Sequence, residues 1–155
     1  MTMQTRTYTY FSYLVAGGLN WETADLRVLL FTTGSTVAEE DNDAITNLAA
    51  FTTLAEFDGA NYARKALNNQ VREIDWTNFR TMGKADDILF TELGAGSSGL
   101  EDVAGGLIYL YGGDDSLCVP AASLLYAVPR TPDGSDFLFA FPSTGIVIYQ
   151  AGPNA

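Results

Sequence analysis

Reactive side chains are scarce in this sequence, and those present do not fall into catalytic patterns. There is no histidine. That removes Ser-His-Asp and Cys-His catalysis, imidazole metal sites and the commonest general base. The single cysteine, Cys118, can close no disulfide within the chain and, without histidine, cannot build a structural zinc site. The run GAGSSG at 94–99 has the spacing of a dinucleotide-binding loop at Gly94, Gly96 and Gly99, with Asp114 about twenty residues on. Such a loop works by opening a helix whose N-terminal N–H groups hold the pyrophosphate. Here Gly105-Gly106 would break that helix within two turns, so the run is expected to be an inter-strand loop.

Acidic pairs recur at Asp41/Asp43, Asp86-Asp87, Glu101-Asp102 and Asp114-Asp115. Paired carboxylates can bind calcium or share the acid and base roles of glycoside hydrolysis. The run Asp41-Asn42-Asp43 looks like part of a calcium loop, yet the downstream glycine and bidentate glutamate of an EF-hand are missing. Solvated turns on an acidic surface are the simpler reading. No catalytic residue, cofactor or metal is therefore assigned, and the chain is read as a non-enzyme.

The remaining candidates are aromatic. Trp21 and Trp76 suit a core, a protein interface or a sugar platform, because indole offers a large area with one polar handle. The run Tyr8-Thr9-Tyr10-Phe11-Ser12-Tyr13, read as a strand, puts aromatics on both faces. That fits a first strand buried on both sides, or an arm that docks on a neighbour. Tyr8, Tyr10, Phe11, Tyr13, Trp21 and Trp76 are the interface candidates. On the arm reading, removing residues 1–13 would leave a soluble fold and abolish attachment.

The elements that must carry these residues are short. The segment 26–33 (LRVLLFTT) is a buried-strand pattern, and 8–16 is aromatic and β-prone up to Gly17-Gly18. The acidic stretch 37–48 suits one short helix or an excursion loop. Further strands are expected over 62–67 and 71–76, joined as a hairpin through Asn68-Asn69, and over 80–82 and 88–93 around a turn at 83–87. Others follow at 103–111, 117–119, 124–128, 137–141 and 146–149, with a Pro-Asp-Gly turn at 132–134. Strands this short and frequent predict a mostly-β fold, an antiparallel β-sandwich or jelly-roll-like domain with at most one short helix. It would occupy 25–155, behind an aromatic N-terminal arm or first strand at 1–24.

Composition bounds the partners. The 155 residues suffice for one core, with 47% hydrophobic and 17% charged residues. The net charge of -11 argues against nucleic acid and anionic membranes, both of which recruit basic surfaces. The N-terminus shows no signal-peptide pattern and no segment has the apolar length of a membrane span.

The order of motifs over roughly 25–150 carries a resemblance. Gly59, Tyr62, Arg64 and Leu67 form a G-x-x-Y-x-R-x-x-L segment, and Ala85-Asp86-Asp87-Ile88-Leu89-Phe90 follows it. The strand at 106–111 and a final glycine-led strand from Gly145 come after. This order resembles small β-rich virion proteins of tailed bacteriophages, of the head decoration or cement kind. The resemblance implies a structural role in the virion, with the major capsid protein as partner and a homo-oligomer, a trimer among the options, as the assembly. It implies no catalytic residues. A tail or baseplate protein, or a receptor- or carbohydrate-binding module, is the alternative.

Overall fold

The computed structural model describes residues 3–97 and 102–150. The described chain is mostly β, with every strand pair antiparallel and one short α-helix. In chain order the elements are β1 (Met3–Thr7), α1 (Thr9–Ala16), β2 (Leu26–Thr32), a 3-10 turn (Leu48–Ala50), β3 (Lys65–Ala66), β4 (Val71–Asp75) and β5 (Arg80–Lys84). Then come β6 (Ile88–Phe90), β7 (Val103–Leu110), β8 (Val119–Arg130), β9 (Phe137–Phe139) and β10 (Val147–Gln150). A five-stranded sheet runs β1-β8-β7-β2-β3, a three-stranded sheet β10-β5-β4, and a ribbon β6-β9.

The large sheet is buried on both faces, and the period-two pattern of β2 shows how. Val28 and Leu30 join one apolar cluster, Leu29 and Phe31 the other. The first cluster lies against the smaller sheets, drawing in Ile88, Phe90, Phe137, Phe139 and Val147. Contact there is close enough to dictate sequence: a Cβ on Gly106 of β7 would fall 2.4 Å from the Phe139 ring. Edge-to-face aromatic pairs, from Phe57–Tyr62 through Phe90–Phe137 to Tyr126–Phe139, tie this layer together.

The opposite face is covered by the acidic excursion. Val37, Ile45, Leu48 and Phe51 pack there with Tyr8 and Cys118. The segment forms turns rather than an α-helix, and Glu40 pins it. Its carboxylate accepts hydrogen bonds from Thr36 Oγ1 (2.6 Å), Thr52 N–H (2.9 Å) and Thr52 Oγ1 (2.8 Å). Desolvation pushes the Glu40 carboxyl up, but those hydrogen bonds together hold it below its ordinary range.

Four expectations are corrected. The run 8–16 is not a strand. β1 lies before it, pairing with β8 from Met3↔Tyr126 to Thr7↔Ala122, and Thr9–Ala16 is helical. Phe11 is buried, and Val15, four residues on, packs against the same cluster, so helical spacing supplies a core-facing stripe. No side chain caps the helix start, so packing outweighs the aromatic β-preference. Asn69 does adopt positive φ (52°), but Asn68-Asn69 joins two sheets rather than two arms of a hairpin, since β3 pairs with β2 and β4 with β5. The turn expected at 83–87 starts later, because β5 runs through Lys84. Finally, of the expected strand 117–119 only Val119 is in a strand, and it is continuous with 124–128 in the twelve-residue β8. Its Pro129 falls in the stretch skipped by the register shift between Val103 and Gly105, and Pro120, opposite Tyr109, borders the other shift.

Candidate interaction surface

The β4–β5 hairpin is the most exposed regular element of the described chain. Val71, Arg72, Glu73 and Ile74 are all exposed, so β4 is open to solvent on both faces. β4 is also a sheet edge, paired only with β5 among the described residues. Its turn carries Trp76 and Phe79, each 73% exposed, beside Ile74 at 52%.

The turn is locked by Asp75. Its carboxylate accepts the N–H groups of Thr77 (3.0 Å) and Asn78 (3.2 Å), the Asn78 side-chain amide (2.8 Å) and Arg80 Nε (3.0 Å). The Asn78 amide leads the interactions that hold the Asp75 carboxyl below its usual range, with Arg80 adding to it. Phe79 sits at φ 52°, a left-handed conformation uncommon for a bulky side chain. The turn thus carries backbone strain while presenting two large rings to solvent.

The root is fixed by Trp21. Its ring lies so close to Gly83 that a Cβ there would approach within 2.7 Å, and Trp21 Nε1–H donates to Lys84 O at 3.0 Å. Charge on the hairpin is balanced locally: Arg72 pairs with Glu22 (2.8 Å), Lys84 with Glu73 (2.9 Å) and Arg80 with Asp75.

The six aromatic candidates therefore separate. Tyr8, Phe11 and Trp21 lie in the chain's own core, each 1% exposed or less, and cannot serve as surface anchors. Tyr10 and Tyr13 stack on the outer side of α1, with ring centroids 5.9 Å apart and Tyr13 exposed. Tyr10 borders a shallow cleft shared with Thr46, Asn47 and the exposed Leu117. Trp76 alone stands on the hairpin. Phe79, Ile74 and Val71 were missed as its companions. The alternation Val71-Arg72-Glu73-Ile74 in a strand with charge on both faces was the available signal.

The acidic pairs are occupied in turns. Asp58 holds Ser97 through its N–H (2.9 Å) and hydroxyl (2.6 Å), fixing the start of the 94–99 loop; Ser98 and Gly99 lie outside the described residues. Asp114 accepts from Ser116, Asp87 from the Phe141 N–H, and Asp43 from Thr9. Glu101 lies outside the described residues. The densest ionic cluster is structural: Arg64 spans Glu56 (2.9 Å) and Asp115 (2.8 Å), and Tyr62 donates to Glu56 while accepting the Leu30 N–H. Burial, followed by the Glu56 charge, pushes the Tyr62 hydroxyl well above its usual range.

All eight basic residues have a partner. Besides those above, Arg6 donates to the Ala38 and Glu40 carbonyls, Arg27 pairs with Asp25, Lys65 lies over Phe90, and Arg130 over Phe137. The surplus negative charge is what the surface offers an approaching molecule. No protein-family model matches the chain, and no curated protein or solved structure shows significant similarity to it.

Proposed function

We propose that this protein is a structural component of a tailed-phage particle, a head decoration or cement protein that holds neighbouring capsid subunits together by non-covalent contact. The observation that carries the reading is the hairpin turn, with Trp76 and Phe79 locked outward by Asp75. Large rigid aromatics on a preorganised turn lose little entropy on docking and are the residue types that dominate interface energy. A body buried on both faces of its main sheet supplies a stiff platform. Many copies bridging adjacent capsid subunits would sum weak contacts into a stable shell. The motif order over 59–90 supports the phage assignment.

Quantitative mass spectrometry of purified particles tests this. Copy numbers comparable to the major capsid protein support head decoration. A few copies per particle would move the protein to the tail or baseplate, and its absence would refute a virion role. A second reading, a carbohydrate-binding module, is favoured by the exposed Trp76 ring, an indole face on which a sugar could stack. Sugar-dependent binding lost in Trp76→Ala would select it.

A further inference from the structure

The outer edge of β4 has no strand beside it among the described residues, and both of its faces are exposed. Such an edge can accept another strand through main-chain hydrogen bonds, and proteins that leave one open must control what adds to it.

Twofold pairing of one antiparallel strand with itself sets residues from the same face opposite each other, so the axis passes through a single residue. For β4, three registers overlap three or more residues. Centred on Arg72, two arginines meet. Centred on Glu73, two glutamates meet and Val71 faces Asp75. Centred on Ile74, each Glu73 faces the other copy's Asp75. Every register opposes like charges, a repulsion that the pairing of Arg72 with Glu22 and of Asp75 with Arg80 reduces without turning it into attraction. Lys84 neutralises Glu73 only from the β5 side, and the Glu73 side chain remains 55% exposed. A second copy would also bring another chain of net charge -11.

A strand of different chemistry meets no such penalty. A lysine or arginine opposite Glu73 would complete an ion pair that Lys84 only half satisfies. In an alternating segment the apolar residues then fall on the other face, where one opposite Ile74 would cover a side chain that is 52% exposed. We infer that the β4 edge is a docking edge for an extended basic-apolar segment of another protein, with Glu73 admitting that partner and rejecting a second copy. This rests on the interface role proposed above and names the kind of capsid segment that the hairpin would engage.

The test uses the full-length protein and two end-capped synthetic peptides, one alternating valine with lysine, the other valine with glutamate. Amide hydrogen exchange over 71–75 reads docking on the edge. The lysine peptide is expected to protect these amides and to bind about tenfold more tightly than the glutamate peptide. Glu73→Lys should reverse that preference, and Glu73→Gln should reduce it, with both variants keeping the wild-type circular dichroism spectrum. Equal binding of the two peptides, binding by neither, or protection elsewhere would overturn the inference. Particle copy number is read separately. A protein found on particles but indifferent to peptide charge loses the edge assignment alone. A protein absent from particles that still discriminates the peptides loses only the virion reading.

Discussion

Trp21 and Trp76 are the same residue type in two regions with opposite fates. Trp21 stands at the end of the N-terminal segment, 1% exposed, with its indole N–H satisfied by Lys84 O and its ring on Gly83. Trp76 stands at the far end of the hairpin that Trp21 supports, 73% exposed. The N-terminal region uses its aromatics to close the core around β1 and α1. The hairpin uses its own against solvent, on a turn held by one carboxylate. Aromatic content by itself therefore identifies neither a core nor an interface. What separates the two regions is the hydrogen-bonding frame around each ring.

The largest effect expected from this contrast is loss of the fold when residues 1–13 are removed. That deletion takes away β1, which pairs along β8, together with Tyr8 and Phe11, one from each core cluster. Circular dichroism and urea unfolding should show a disordered or aggregating product. A soluble, cooperative truncated protein would restore the detachable-arm reading. Next comes the tryptophan pair. Trp21→Ala should cost about 3–5 kcal/mol in urea unfolding, whereas Trp76→Ala should stay within about 0.5 kcal/mol of wild type. Equal losses would erase the distinction between the regions.

Smaller effects sharpen the hairpin's side. Phe79→Asn should raise stability by about 0.5–1 kcal/mol, because asparagine tolerates positive φ and little packing is lost at an exposed position. Any gain in thermal midpoint should come with weaker particle attachment, as expected where strain serves function. The smallest effect concerns pH. The Asp75 carboxyl is held below its ordinary range, so its contribution to the turn is present above the unfolded carboxylate pKa and is lost as pH falls through the lower folded value. Iodide quenching of Trp76 should therefore increase only below about pH 4, with the Trp21 signal unchanged. Asp75→Ala should show the same increase at neutral pH.

Much of the fold was legible from local pattern. The apolar runs that became β2 and β7 declared themselves because both faces of those strands are buried, and the positive φ at Gly134 fell within the turn marked by Pro-Asp-Gly. The helix was hidden because its core-facing stripe is only Phe11 and Val15, set in a run whose aromatics suit a strand as well, and no capping box marked its start. The partner of each strand was hidden as well: nothing local near Asn68-Asn69 reveals that the chain leaves one sheet for another there. The covering role of 37–51 depends on contacts with β2 and β7 far away in sequence, which the scattered apolar residues do not advertise. At the candidate interaction surface, Trp76 could be nominated by type, but the exposure of Phe79 depends on its place in the hairpin turn beside Arg80, which the sequence pattern does not mark.

The most direct test of the account is particle occupancy of the Trp76→Ala, Phe79→Ala double variant against wild type, measured by quantitative mass spectrometry on particles purified from a strain lacking the native copy. Loss of the variant from particles, with an unchanged thermal midpoint in the free protein, is the predicted result. Wild-type occupancy by an equally stable double variant would contradict it.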